Sequence, residues 1–327
     1  MIAISSKKTI LLKVIIGLGL IALLIYKIDF EQFKERMTQI PIQSYLLGLL
    51  IYTGGMAVRT LRWQILLEAV GNFIHLWKLI RFQFTGTFFN QFLPSSVGGD
   101  GARVYLLCRH GVSWEKAIGS VLIERIVGML MLVLLGILAA FAGYRIYQNN
   151  WIYLILLLLL CVLIGAVLLL FSNRTAELVL SALGKLHLNK LREIADRFLK
   201  GLRVYRSHPA ALAHVTLLSF AFQLIVIWLF YHFSLQLKMG LSLWYFILFI
   251  PIVMSVSQLP VSLNGTGVRE WACVILFTHV GAGEAQAVAL AVCYWLLQAG
   301  PAMLGGIVFG VTGGLNVFRE MKTAEDA

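Results

Sequence analysis

The chain has 327 residues, 60% of them hydrophobic and only 13% charged, with 27 Lys and Arg against 15 Asp and Glu for a formal charge of +12. Soluble domains average about 45–50% apolar and about 25% charged residues, so a soluble enzyme or nucleic-acid-binding domain is excluded as the body of this molecule. The composition is that of an integral membrane protein, in which surplus basic charge marks cytoplasmic loops and anionic lipid.

A spanning helix needs about 20 mainly apolar residues to cross about 30 Å of hydrocarbon. Residues 9–26, interrupted by Lys13, are the first candidate. Lys7 and Lys8 precede them as in a signal peptide, but "YKIDFEQF" follows where cleavage would need small residues, so the segment is read as an uncleaved anchor. Residues 44–66 are the next candidate. Arg59 and Arg62 share one face near its expected cytoplasmic end, where snorkelling to phosphate head groups is the ordinary reading and substrate contact the alternative.

Residues 67–117 are basic and expected on the cytoplasmic side, yet 82–100, "FQFTGTFFNQFLPSSVGGD", is apolar and aromatic. A segment that enters and leaves from one side is a re-entrant hairpin. It runs into "LPSSVGGDGAR", residues 93–103, whose proline and glycines break a helix. Asp100 is an N-cap type directly before Gly-x-Arg, which puts Arg103 in the first turn of the next helix. A cation is disfavoured there by the helix dipole, so something negative should lie close: Asp100, or an anionic ligand such as phosphate held by free N–H groups and the Arg fork. Residues 118–143 form another candidate span carrying Glu124 and Arg125. Neighbours on a helix point about 100° apart, so each seeks a partner elsewhere, with Arg103 and Asp100 as candidates. Structural pairing and substrate contact are both open for them.

Residues 151–171 contain no Asp, Glu, Lys or Arg and are read as a span. The stretch 172–210 carries eight basic residues, Arg174, Lys185, Lys190, Arg192, Arg197, Lys200, Arg203 and Arg206, against Glu177, Glu193 and Asp196, which makes it cytoplasmic. Counting outward, 144–150 and 234–241 fall outside and both termini inside. Leu188, Leu191, Ala195, Phe198, Leu202 and Tyr205 recur at helical spacing, an amphipathic connector expected on the inner leaflet, with partner binding as the alternative. Residues 211–233 are a second uncharged span, and 242–259 a further candidate.

"LPVSLNGTGVR", residues 259–269, then repeats the first motif 166 residues on, matching it at six of eleven positions as L-P-x-S-x-x-G-x-G-x-R. Thr266 takes the N-cap place and Arg269 the first turn, with Glu270 or an anionic ligand to answer its charge. Three arrangements stay open. Both motifs are plain turns whose charges face water; or the second dips in from the opposite face as in an inverted repeat; or it joins two ordinary spans, the second a short one over 268–282. A re-entrant reading predicts a polar pocket between the loops. Residues 287–312 form the last span. The seven histidines and four cysteines show no metal-ligand spacing, and neither a Walker A nor a G-x-S-x-G sequence occurs, so no metal, cofactor or catalytic motif is expected.

The fold expected is therefore an all-α polytopic membrane protein with about seven or eight transmembrane helices and one or two re-entrant broken-helix loops. It is one integral domain over 1–327, with repeat halves 1–171 and 211–327 joined by the basic linker 172–210. "RTLRW", "FFNQFLPSSVGGDGAR", "SVLIERIVG" and "LPVSLNGTGVRE" resemble the flippase-like transmembrane region of bacterial lysylphosphatidylglycerol synthases and their stand-alone relatives, over roughly residues 10–312. The family pattern N-x-x-L-P-x-x-x-G-G-D-x-x-R is met by Asn90, Leu93, Pro94, Gly98, Gly99, Asp100 and Arg103; Asn264 and Glu124 depart from the commonest residues. Only "LNVFREMKTAEDA" follows the last span, so synthase activity is not implied. The resemblance implies a lipid flippase or transporter of the bacterial inner membrane. Its partners would be anionic or head-group-modified lipids and a separate lipid-modifying enzyme, with no nucleic acid. A membrane transferase using Asp100 or Glu270 as base, and an ion-coupled carrier of small solutes, are the alternatives. The residues expected to meet a head group are Arg59, Arg62, Asn90, Ser96, Gly98, Gly99, Asp100, Arg103, Glu124, Arg125, Ser262, Asn264, Gly265, Gly267, Arg269 and Glu270.

Overall fold

The structure, a computed structural model, describes residues 7–92, 98–142, 172–185, 188–258 and 262–311, with isolated positions between 154 and 168. The span expected over 151–171, the loop 144–150 and the parts of both motifs at 93–97 and 259–261 lie outside the described residues. Every regular element described is helical. The α-helices are α1 (Lys7–Lys27), α2 (Phe30–Thr38), α3 (Ile42–Ala69), α4 (Leu76–Phe92), α5 (Gly98–Arg109), α6 (Trp114–Ala142), α7 (Asn173–Lys185), α8 (Asn189–Arg203), α9 (Pro209–Gln236), α10 (Leu243–Ser257), α11 (Val268–Thr278) and α12 (Glu284–Val311).

Among the described residues, three helices are long and apolar enough to cross a membrane by themselves: Trp114–Phe141 in α6, Pro209–Gln236 and Glu284–Val311. The bent pair α2 and α3, turned by 79° at Pro41, passes the same test together. Proline there lacks an N–H to continue α2 but suits the start of α3. Residues 242–259, expected as a span, need correcting: α10 has 15 residues, about 22 Å at 1.5 Å per residue, and cannot cross alone. Its follower α11 has 11 residues and is shorter still.

A succession of four helices occurs twice. α3 and α9 have 28 residues each; α4 and α10 have 17 and 15; α5 and α11 have 12 and 11; α6 and α12 have 29 and 28. The turns match too. After α3, Asn72 N donates to Leu67 O at 2.9 Å, and after α9, Met239 N donates to Ser234 O at 3.0 Å. After α5, Val112 N donates to Leu107 O at 3.2 Å, and after α11, Ala282 N donates to Phe277 O at 3.0 Å. Each closes a helix C-terminus through a residue of positive φ: Gly71, Lys238, Gly111 and Gly281. The two sets interlock, for α4 packs on α12, α10 on α6, and α3 on α9.

Small residues allow this closeness. A Cβ on Gly305 of α12 would drive into the Phe84 carbonyl of α4, and one on Gly99 of α5 into the Gly86 carbonyl of α4. The basic arm is joined to the core in the same way, because a Cβ on Gly119 of α6 would strike the Gly201 carbonyl of α8. Leu199, Leu202 and Tyr205 are buried against α6, while Leu188 and Phe198 on the same face stay exposed. The amphipathic face of α8 therefore docks on protein along its C-terminal half. Burial also pushes the Tyr205 hydroxyl pKa up, which keeps it neutral.

Candidate functional site

Glu124 sits ten residues into α6 and is 2% exposed. A carboxylate at that depth in an apolar bundle is costly unless paired, and three arginines from two other helices meet it. Arg59 Nε and Arg62 Nη2, less than one turn apart on α3, donate to Oε1 at 2.7 and 3.0 Å, and Arg103 Nη2 of α5 donates to Oε2. Arg62 Nη1 donates onward to Ser219 Oγ of α9 at 2.7 Å. The Arg103 guanidinium lies 4.0 Å from the centroid of the Trp63 ring, and Trp63 Nε1 donates to Ser120 Oγ at 2.9 Å. Cation–π contact and an engaged indole N–H hold the fork in one plane. Asp100 completes the cluster, with Arg125 Nε at 2.5 Å and Arg103 Nη1 at 3.6 Å.

Glu124 and Arg125 thus find their partners in Arg103 and Asp100, the two groups their diverging directions pointed to. Arg62 does not snorkel. Its side chain is 4% exposed and its charge is spent on Glu124, whereas Arg59, at 28%, reaches the rim. Four guanidiniums thus gather around the carboxylates of Glu124 and Asp100. Four buried atoms here have no hydrogen-bond partner: Arg62 Nε, Arg103 Nε, Arg103 Nη1 and Asp100 Oδ1.

The start of α5 differs from expectation. The helix begins at Gly98, so Asp100 lies inside its first turn rather than capping it, and Arg103 moves into the second turn. Asp100 still places negative charge at the positive end of the dipole. Asn90 Oδ1 accepts from Gly99 N at 3.0 Å, taking one otherwise orphaned donor of the first turn. Ser96 lies outside the described residues.

The second motif builds a closed unit. Gly267, at φ +84°, takes the N-cap place assigned to Thr266, and a Cβ there would press on Leu20 of α1. Glu270 Oε2 accepts from Gly267 N at 2.6 Å while its Oε1 accepts from Arg269 Nε and Nη2 at 3.1 and 2.9 Å. Arg269 Nη1 donates to Gln298 Oε1 of α12 at 2.9 Å. Arg269 and Glu270 therefore neutralise each other in a buried pair. Asn264, at φ +47°, donates from Nδ2 to Gln91 Oε1 at 2.7 Å, so the residues at the breaks of the two halves touch. Gly265 lies against the Ser257 carbonyl, and Ser262 Oγ is buried with no hydrogen-bond partner.

Sequence reasoning missed the uncharged members. Tyr52, two turns before Arg59 on α3, meets Tyr294 edge-on with centroids 6.0 Å apart, and Gln298 lies one turn beyond Tyr294 on α12. Together with Arg269 they form a polar line between the two charged groups. Trp63, Ser120, Ser219 and Gln91 were missed as well. The signal available was the stripe 52, 59, 63 on one face of an otherwise apolar helix.

A family model described as the lysylphosphatidylglycerol synthase transmembrane region matches residues 10–306. The chain belongs to that family. A UPF0104 membrane protein of Pyrococcus horikoshii is 24% identical over 330 residues, covering 91% of this chain and 95% of that protein. Both charged groups and every helix from α2 to α11 lie inside the match to the lysylphosphatidylglycerol synthase transmembrane region.

Proposed function

We propose that the protein binds the phosphate of a lipid head group at the Arg59, Arg62, Arg103 and Arg125 cluster and carries it between leaflets, with the acyl chains left in the bilayer. The observation that carries this reading is a cluster of four arginines in which the buried atoms Arg62 Nε, Arg103 Nε and Arg103 Nη1 have no hydrogen-bond acceptor. Buried donors left open cost about 1–3 kcal/mol each, so a site holding several is built for a ligand that supplies oxygens. An arginine fork beside a helix start suits phosphate by geometry as well as charge.

The repeated helices support an inverted arrangement in the membrane. α4 with α5, and α10 with α11, are helix pairs too short to cross singly and broken at the two motifs, as re-entrant hairpins entered from opposite faces would be. With α1, the bent α2–α3 pair, α6, the span read over 151–171, α9 and α12 each crossing once, this reading has six crossings and two hairpins, with both termini cytoplasmic, in a bacterial inner membrane. The halves meet at Gln91 and Asn264, where the polar pocket between loops was expected.

The test is translocation of a fluorescent phosphatidylglycerol by the full chain in vesicles of phosphatidylglycerol and phosphatidylethanolamine. Arg103→Ala should slow it at least tenfold while the protein stays folded by circular dichroism; an unchanged rate rejects the role.

A further inference from the structure

We infer that α7 is a docking element for the anionic lipid surface of the cytoplasmic leaflet, seated by an apolar stripe and held by the cations that bracket it. The inference is independent of the proposed head-group site.

The two helices of the basic arm differ in what holds them. α8 is fastened to protein, with Leu199, Leu202 and Tyr205 buried against α6 and Gly201 so close that a Cβ would strike the Glu115 carbonyl. Two of its cations are answered within the helix, Arg197 by Glu193 at 2.6 Å and Lys200 by Asp196 at 2.7 Å. A third, Arg192, lies against Gly184, where its charge meets the negative end of α7.

α7 meets α8 through Leu180, half-buried beside Arg192 and Asp196, and leaves another face open. On that face Leu178 is 66% exposed and Val179 38%, with Ala182 exposed beside them. Arg174, Leu178, Ala182 and Lys185 follow at spacings of four, four and three, so the apolar stripe has a cation at each end. Both cations are exposed and, among the described residues, neither has a carboxylate partner; the ion pairs of the arm are the two inside α8. Arg206 is drawn to the same end as Arg174, because its Nη1 donates to Asn173 Oδ1 at 3.4 Å. Glu177, the one acid of α7, falls beyond Arg174 on the side away from Val179.

Size, chemistry and position select lipid over protein as the occupant. Two large apolar side chains fall far short of the about 800 Å² per partner that a stable protein interface buries. An interfacial helix needs only an apolar face set into the head-group boundary and cations at anionic phosphates, each worth about fivefold in affinity. α7 also follows directly on the uncharged stretch 151–171, and 172–210 carries eight basic residues against three acids, the mark of the cytoplasmic side.

Hydrogen–deuterium exchange of the full chain in nanodiscs tests the docking, with phosphatidylcholine alone compared with an equal mixture of phosphatidylcholine and phosphatidylglycerol. Amides of α7 should exchange at least about tenfold more slowly in the mixed membrane, while those of α8, held by α6, should not change. Arg174→Gln with Lys185→Gln, both at exposed sites, should bring α7 to within about threefold between the two membranes. Leu178→Asp should leave α7 unprotected in both. Lys200→Gln removes a cation already paired with Asp196 and should leave the difference intact.

Equal exchange of α7 in the two membranes, or a difference that survives the loss of both cations, overturns the anionic surface as occupant. Protection that persists in Leu178→Asp overturns the apolar seating. Protection already complete in detergent without phospholipid assigns the face to protein, a second copy included, and overturns the docking.

Discussion

The two L-P-x-S-x-x-G-x-G-x-R motifs share six residues, yet they hold their arginines in opposite conditions. Arg103 shares Glu124 with two further arginines and has two atoms without hydrogen-bond partners, whereas Arg269 is locked to the carboxylate next to it and to Gln298. One substitution pattern explains the difference. The residue after Arg103 is Val104 and the residue after Arg269 is Glu270, so only the second arginine hydrogen-bonds a carboxylate adjacent in sequence, while Asp100 stands 3.6 Å from Arg103 and is shared with Arg125. The first must borrow Glu124 from α6, and Glu124 is shared with two further arginines. A repeated backbone device thus carries one shared charge cluster and one self-contained ion pair.

The largest test of this contrast is Glu124→Gln. It strips Arg59, Arg62 and Arg103 of their common anion, and removing one partner of a buried ionic set costs about 3–5 kcal/mol. A pronounced fall in the unfolding temperature in detergent is expected, recovered in part by added phosphate, while a neutral effect would mean that the cluster is hydrated rather than buried. The second test is a double-mutant cycle. Arg269→Gln alone should destabilise by about 2–4 kcal/mol through the Glu270 charge it leaves behind, and Arg269→Gln with Glu270→Gln should recover about 1–3 kcal/mol of that. Additive losses would contradict a self-contained pair. The smallest effect is expected at Lys238, which holds φ +52° where the first half has Gly71. Lys238→Gly should stabilise by about 1 kcal/mol, read as a small rise in unfolding temperature; a loss would show that its side chain serves the turn.

Much of the frame was legible because apolar length is a strong signal. Residues 211–233 lie within α9 and residues 287–311 of the last expected span within α12, and the pairing of Glu124 and Arg125 with the first motif followed from the angle between adjacent helical side chains. Residues 242–259 misled because apolar content does not reveal where a helix stops; α10 ends at Ser257, two residues before the motif. The roles of Arg59 and Arg62 were hidden for a related reason. Sequence position places a charge near a helix end, but only the fold shows that another helix has carried a glutamate to the same depth. Tyr294 and Gln298 had no spacing signal at all, since single uncharged polar residues in an apolar helix look like tolerated exceptions, and Tyr52 could be read only as part of the stripe with Arg59 and Trp63.

The interlock of α4 with α12 also bears on how the chain is made. Phe92 ends α4 and Glu284 begins α12, so roughly 200 residues must leave the ribosome before α4 meets its partner, about 10–40 s at ordinary synthesis rates. For that interval the hairpin of α4 and α5, with Asp100 and Arg103 at its broken end, has no α12 to lie on. An insertion factor or a neighbouring lipid must shelter it, and truncations ending before Glu284 should be cleared as misassembled while the full chain accumulates.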